Sequence, residues 1–428
     1  KEEKTTALKE GMPKRPIKSI KIPPKVMFKS NGEPSENRLK WLKFLEEQGL
    51  PADYNQEVEY IHSYEKPNPN SHQQIKDYLF KLGWKPEHFK YEKVEGQKEM
   101  RRIPQIKAKD SEDGSICPSI IKLIEKDKTV ENLDSLFIIS HRIGLFKGFL
   151  RDKKNNRLYQ NTRGLSNTNR LLHSGIVNLP LPHKKYAENV RKCFIADEGK
   201  ILIGCDLKNI ESRVRDHFIY PHDPDYVNEL SKDTFDSHID LCVLAGFLTK
   251  EQGDDHINGK ANYKEIRQKG KTVNFAAVYG VGKETLSRNS GLSIKECEKL
   301  LETYWKRNWA VKKVAEDCKV KTIGSQKWLL NPISGFWVSL RADKDKFSSL
   351  AQSSAVFIFD RFVYYIRQQG LQINMQMHDE WTANIYEEEK ELTIEKVNLA
   401  IKQVNEELKL NVEIGCSYGF GLNYTDIH

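Results

Sequence analysis

Asp206 closes the hydrophobic run Ile201-Leu202-Ile203-Gly204-Cys205, and Asp379 stands in His378-Asp379-Glu380 between two strand-like runs, Leu371–Met377 and Trp381–Tyr386. A carboxylate at a strand end and another at a hairpin tip are well placed to share divalent cations at one sheet edge. If the strands are neighbours, the two carboxylates can bridge two Mg²⁺ ions about 3.5–4 Å apart, activate a hydroxyl nucleophile and hold a leaving pyrophosphate. Hard oxygen ligands suit Mg²⁺, which keeps bound water and also takes substrate phosphates. Either aspartate alone is ordinary turn chemistry, so the reading rests on the pair.

Arg267, Lys271, Phe275 and Tyr279 recur every four residues in a segment ending at Gly280. On a helix each such step turns by about 40°, so all four share one broad face. Two cations followed by two aromatics can hold a triphosphate at one end and stack a base at the other. Without the carboxylates, an amphipathic helix with its basic residues in water is the better explanation.

These groups need rigid elements. Ile201–Leu207 reads as a buried strand, and Asn209–Phe218 follows it as a helix. Tyr263–Tyr279 and Ile294–Cys318 carry helical periodicity. Lys327–Leu340 reads as strand pieces about the turn Asn331–Gly335. Ser349–Gln369 is a long helix with an apolar stripe, and a helix near 391–409 leads into a last strand near 410–416. Upstream, the pattern predicts helices over Asn37–Glu47, stopped at Gly49, over Ser71–Leu82 with Gly83 as its cap, and over Glu131–Phe149. The first third should be mostly α-helical, and the basic, proline-rich residues 1–35 should be extended or mobile.

The 428 residues allow two or three domains, and the net charge of +9 suits a polyanionic partner. No apolar run reaches the roughly 18 residues of a membrane span, and no secretory leader is visible. The seven cysteines are scattered, without a CxxC pair. That argues against a disulfide framework or zinc site and for a reducing, cytoplasmic setting. The chain opens on Lys1 rather than Met, as a fragment of something longer would.

Together the three segments resemble the polymerase motifs of family A DNA polymerases, the group of bacterial polymerase I and many bacteriophage replicases. Asp206-Leu207-Lys208-Asn209-Ile210-Glu211-Ser212-Arg213 resembles the first motif, usually Asp-Tyr-Ser-Gln-Ile-Glu-Leu-Arg. Arg267–Gly280 resembles the fingers helix, and Gln376-Met377-His378-Asp379-Glu380 the third motif. The likeness extends over about 65–428, through Asp236-Ser237-His238 and Gln352. Asn178-Leu179-Pro180 and the Pro67–Trp84 stretch look most like the bacteriophage branch.

The resemblance implies roles. Asp206 and Asp379 would bind two Mg²⁺ ions, with Leu207 offering a backbone carbonyl. Arg267, Lys271 and His238 would contact the nucleotide phosphates, and Lys271 would be the general acid for pyrophosphate. Phe275 and Tyr279 would frame the incoming nucleotide, and Glu211 would exclude a 2′-hydroxyl. His378 and Glu380 would position the primer end, while Arg213 and Gln352 would contact duplex or nearby side chains. Departures are Leu207 and Lys208 for Tyr and Ser, Ala276 for Gly, and Ser348 for Asn. The primer-contacting arginine has two candidates, Arg170 and Arg163.

The expected fold is therefore α+β, a polymerase right hand with an antiparallel palm sheet and helical fingers. The thumb would occupy 1–150, the palm 151–245 and 326–428, and the fingers 246–325. The expected activity is template-directed DNA synthesis on primer–template DNA from deoxynucleoside triphosphates, by a monomer, with any processivity partner left open. A bacteriophage protein of this kind would work in the host cytoplasm. No 3′–5′ exonuclease domain is expected within this chain. A single-subunit RNA polymerase is the rival enzyme, against which Glu211 and the His-Asp-Glu hairpin argue. A non-catalytic DNA-binding protein is the other alternative.

Overall fold

The computed structural model describes residues 1–94, 100–108, 115–176 and 179–428. The chain divides into two compact units: Lys1–Leu150 with His183–Ala187, and Arg151–Pro182 with Glu188–His428.

The first unit is less helical than its composition predicts. Helices Glu2–Gly11, Glu36–Glu47 and His72–Lys81 are present. So are two antiparallel ribbons, Arg15–Lys21 with Val58–Glu65 and Phe89–Lys93 with Met100–Pro104. The basic start is thus a helix and a strand rather than a loose tail. The strand hides from sequence reading because its partner lies some forty residues on, and because a bulge between Ile17 and Lys18 breaks the alternation. Ser71 caps its helix by accepting from the Gln74 N–H. The segment expected as one helix from Glu131 is interrupted at Ser135, whose φ is 58°, and the α-helix runs Leu136–Asp152.

The second unit is built on a four-stranded antiparallel sheet: β1 (Ile201–Leu207), β2 (Ile373–Met377), β3 (Glu380–Ile385) and β4 (Cys416–Gly421), in spatial order β2-β3-β1-β4. β1 is buried on both faces except at Asp206. Its residues Ile203 and Cys205 join Trp381 and Ala383 of β3 in the main core. The last strand lies later than expected. Two of its residues are Gly419 and Gly421, normally poor strand formers. A Cβ at Gly419 would stand 2.8 Å from the Ile427 carbonyl oxygen, so the close approach of the chain end demands glycine there.

Six helices of this unit matter to the site: α1 (Ile210–Ile219), α2 (Ser237–Leu244), α3 (Lys264–Val278), α4 (Ile294–Arg307), α5 (Lys346–Gln368) and α6 (Lys390–Leu408). Among them α1, α5 and α6 pack on the sheet. α5 buries Phe347, Leu350, Ala351, Ile358, Phe359, Phe362 and Ile366, a helical stripe laid on the main core. The periodicity that joins α4 to Trp309–Asp317 in the sequence is cut at Asn308, whose side-chain amide donates to the Tyr304 carbonyl.

A separate cluster unites Leu241 and Ala245 with Val273, Ala277, Leu300 and Tyr304. α2 therefore packs with α3 and α4, across the sequence boundary drawn at 245. Gly270 makes this packing possible. A Cβ there would meet the His238 carbonyl oxygen at 2.3 Å and the Cys242 sulfur at 2.8 Å. Among the described residues no helix is long and apolar enough to cross a membrane.

Candidate active site

Sheet register brings the two aspartates together. Glu380 pairs with Asp206 across β3 and β1, and the Leu207 N–H donates to the Asp379 carbonyl at 3.0 Å. Asp379 thus stands beside the end of β1. His378 begins the two-residue turn between β2 and β3 with φ 54°, uncommon for a residue other than glycine and a place where local strain is held by its surroundings. Burial raises the Asp379 carboxyl above its ordinary value, and the Asp206 charge adds to the shift while Arg170 and His378 oppose it. On the other side of β1, Ser417 of β4 faces Asp206 and donates to its Oδ1 at 2.5 Å.

Two adjacent carboxylates, one of them half-desolvated by its neighbours, fit a hard divalent cation that would relieve their repulsion. Among the described residues no cluster of three or more His, Cys, Asp or Glu is arranged to hold a metal. A two-carboxylate set suits Mg²⁺, which completes its shell with water and phosphate rather than with a protein cage.

Glu380 is engaged elsewhere. The Tyr424 hydroxyl donates to its Oε2 at 2.7 Å, and His428 Nε2 lies 3.0 Å from its Oε1. Burial and this carboxylate push the Tyr424 hydroxyl far up. Arg191, buried, stacks 4.3 Å over the Tyr424 ring and donates to the Pro180 carbonyl. Tyr424, Arg191 and Ser417 carry no motif signal. The only hint of Tyr424 and His428 in the sequence is that the family likeness continues to the chain end.

Glu211, in the first turn of α1, is gripped from two sides. Arg170 donates to Oε1 at 3.1 Å and the Tyr279 hydroxyl to Oε2 at 3.0 Å. Arg170 is delivered by a tight turn in which Ser166 Oγ accepts the Thr168 and Arg170 N–H groups and Asn169 takes φ 64°. Arg163 lies in the exposed strand Asn161–Leu165. Of the two arginine candidates, the fold brings Arg170 to this cluster. Asn178, of the Asn178-Leu179-Pro180 segment, lies outside the described residues.

The cationic face of α3 is organised by Asp236, the cap of α2. Its Oδ1 accepts the His238 and Ile239 N–H groups, and its Oδ2 takes the Arg267 Nε at 2.6 Å. His238 is held through Nδ1 by Asn274, 2.8 Å away, and tilts against Phe275 at 6.0 Å. Lys271 lies close enough to His238 to oppose its protonation. A cavity of about 420 Å³ is lined by Glu211, Arg213, His238, Arg267, Phe275, Tyr279 and Gln352 among others. Gln352 sits beside the Tyr279 hydroxyl. Phe275 and Tyr279 are 55% and 39% exposed as residues, so aromatic surface is open to a flat ligand even with the Tyr279 hydroxyl engaged.

A sequence profile of the family described as DNA polymerase family A matches residues 46–426. The chain belongs to DNA polymerase family A. DNA polymerase I of Lactococcus lactis subsp. cremoris is 24% identical over 311 residues, 68% of this chain and 33% of that protein. The thermostable DNA polymerase I of Thermus filiformis is 24% identical over 261 residues, 56% and 29% respectively. DNA polymerase theta of Caenorhabditis elegans is 24% identical over 229 residues, 50% and 13%. The chain thus spans about a third of the length of the polymerase I relatives it matches. Among solved structures, the POL domain of Pol1 from M. smegmatis, in complex with DNA primer-template and dNTP, is similar with a TM-score of 0.60 at 18% identity. That match covers 85% of this chain and 62% of the other. The family A fold expected from the three motifs, an α+β polymerase hand, is the fold found. Members of family A generally use divalent metals, which agrees with the chemistry of the aspartate pair.

Proposed function

We propose that this chain catalyses template-directed DNA synthesis, adding deoxynucleotides to a primer 3′-hydroxyl. One observation carries the reading. The neighbouring carboxylates Asp206 and Asp379 lie in the same unit as a cavity that collects a sugar-side carboxylate, Glu211, a phosphate-side cation and histidine, Arg267 and His238, and two exposed rings, Phe275 and Tyr279. A nucleoside triphosphate has the matching sequence of groups.

Asp206, Asp379 and the Leu207 carbonyl would hold two Mg²⁺ ions, which when bound supply an activated 3′-hydroxyl and charge neutralisation. The chain's own residues then act mainly by positioning. Arg267 and Lys271 neutralise the phosphates, and Lys271 can pass a proton to the departing pyrophosphate. Among the described residues Lys271 makes no ion pair, so its ammonium is available. Arg267 is aimed by Asp236 and must share that partner with the ligand. Glu211, pinned by Arg170 and Tyr279, presents a fixed carboxylate wall against a 2′-hydroxyl. His378 and Glu380 would set the primer end, with Arg170, Arg213 and Gln352 on primer or template.

In this reading the thumb is 1–150, the palm 151–245 and 326–428, and the fingers 246–325, with α2 transferred to the fingers because it packs on α3 and α4. Primer–template DNA and deoxynucleoside triphosphates are the partners, and the working form is a monomer. Within the family we place the chain in the bacteriophage branch, acting in the host cytoplasm. The support is the sequence of the Pro67–Trp84 stretch and of Asn178-Leu179-Pro180.

The test is extension of a labelled primer on a DNA template with Mg²⁺, comparing four deoxynucleotides with four ribonucleotides, and including Asp379→Asn. Deoxynucleotide-dependent extension that the variant lacks is the expected result. Ribonucleotide extension without a primer would favour an RNA polymerase. Tight DNA binding without extension would favour a binding protein.

A further inference from the structure

Asn274 lies on the same face of α3 as Lys271 and Arg267, three and seven residues away. Its side-chain nitrogen is 3.0 Å from the Ser237 carbonyl oxygen and 2.8 Å from His238 Nδ1. The Ser237 oxygen can only accept, so the amide must present its NH₂ here. The flipped amide would set two acceptor oxygens against each other. The second N–H of that NH₂ then points at Nδ1, which must carry a lone pair. An imidazole with a lone pair on Nδ1 bears its proton on Nε2.

We propose that Asn274 is a positioning residue that locks His238 as the neutral Nε2–H tautomer, so that His238 meets the triphosphate as an uncharged hydrogen-bond donor while Arg267 and Lys271 carry the positive charge. The triphosphate half of this inference rests on the function proposed above; the tautomer half does not.

The surroundings agree. Four groups act on the ring: Asp236 at the cap of α2, Arg267 and Lys271 on α3, and Arg215 on α1. Asp236 alone favours the imidazolium, and both its oxygens are engaged by Arg267 and backbone N–H groups. Burial and the three cations prevail and hold His238 down to about 4. The close approach of α2 and α3 that lets Asn274 reach the ring depends on Gly270. The result is a donor whose charge state stays constant through the neutral range, beside two cations that need no help in attracting phosphate.

The experiment uses the full chain labelled with ¹⁵N-histidine, the His238 signals being assigned by their loss in His238→Gln. Long-range ¹H–¹⁵N spectra should show the Nε2–H tautomer, unchanged over about pH 5.5–8. An Nδ1–H tautomer, or titration near the ordinary value of about 6.5, overturns the proposal whatever the activity. In primer extension, Asn274→Leu should raise the KM for deoxynucleotide about tenfold with little change in kcat, as expected for one oriented hydrogen bond used in ground and transition states alike. Asn274→Asp, whose carboxylate favours Nδ1–H, should make that KM pH-dependent around neutrality. A folded Asn274→Asp with the flat pH profile of the parent chain refutes the positioning role. A chain that shows the Nε2–H signal yet extends no primer fails the polymerase reading and the triphosphate half with it, while the tautomer stands on the spectrum.

Discussion

The Tyr279 hydroxyl donates to Glu211 Oε2 at 3.0 Å, tying the C-terminal end of α3 to α1, the helix that follows β1. Because Arg170 holds the other oxygen, the Glu211 carboxylate has little freedom to retreat from a bulkier sugar. Glu211→Ala should therefore raise incorporation of ribonucleotides relative to deoxynucleotides by about a hundredfold or more, the scale set by an unrelieved steric and polar clash. Competition assays with paired dCTP and CTP measure it, and an unchanged ratio would remove Glu211 from the sugar site.

Asp379→Asn removes a charge from a carboxylate pair without changing its size. Synthesis should fall by about a thousandfold or more, comparable with loss of a preorganised charged group at a transition state. Affinity for primer–template should hold or rise, since the protein gains one unit of positive charge. Equal activity in the variant would sink the metal-site assignment.

Phe275 is exposed and its ring tilts against His238. By family resemblance, Phe275→Tyr should improve acceptance of dideoxynucleotides. A chain-termination ladder shows the effect directly, and an unaltered ladder would argue against this register of α3.

Gly270→Ala tests the packing of α2 on α3. Alanine should gain about 1 kcal/mol in helix propensity. Against that, its methyl would press on the His238 carbonyl at 2.3 Å, and overpacking costs about 1–3 kcal/mol. Net destabilisation, read as a lower midpoint in urea, is the expected outcome, together with a weakened deoxynucleotide KM because His238 is displaced.

Glu296 closes the capping box of α4 with Ser293 and pairs with Lys269 of α3. The Ser293 backbone N–H, then Lys269 and the Ser293 hydroxyl, lower its carboxyl to about 2 from 4.5. A depressed carboxyl stabilises the fold above its unfolded value and loses that contribution as pH falls through the folded one. Glu296→Gln should thus be less stable than the parent by about 1 kcal/mol at neutral pH. The gap should close between about pH 4.5 and 2, as acid titrations of both proteins would register.

What the sequence determined by itself is the local chemistry. A two-sided hydrophobic run ending in Asp206, the four-residue spacing of Arg267, Lys271, Phe275 and Tyr279, and a carboxylate at a hairpin tip are patterns of neighbours along the chain. Periodicity of 2 or 3.6 reports such patterns directly. The elements bearing them, β1, α3 and the β2–β3 hairpin, fall close to where the patterns place them. The tertiary structure decided everything that depends on residues far apart. It brought Arg170 rather than Arg163 to Glu211, closed Tyr424 and His428 on Glu380, set Ser417 against Asp206 and put Asn274 on His238 Nδ1. It also made strands of Arg15–Lys21 and Cys416–Gly421, whose composition argues otherwise. Each of these contacts is fixed by register or by how closely two backbones approach. Those distances are set by the packing of the whole core, which no local window of residue types encodes.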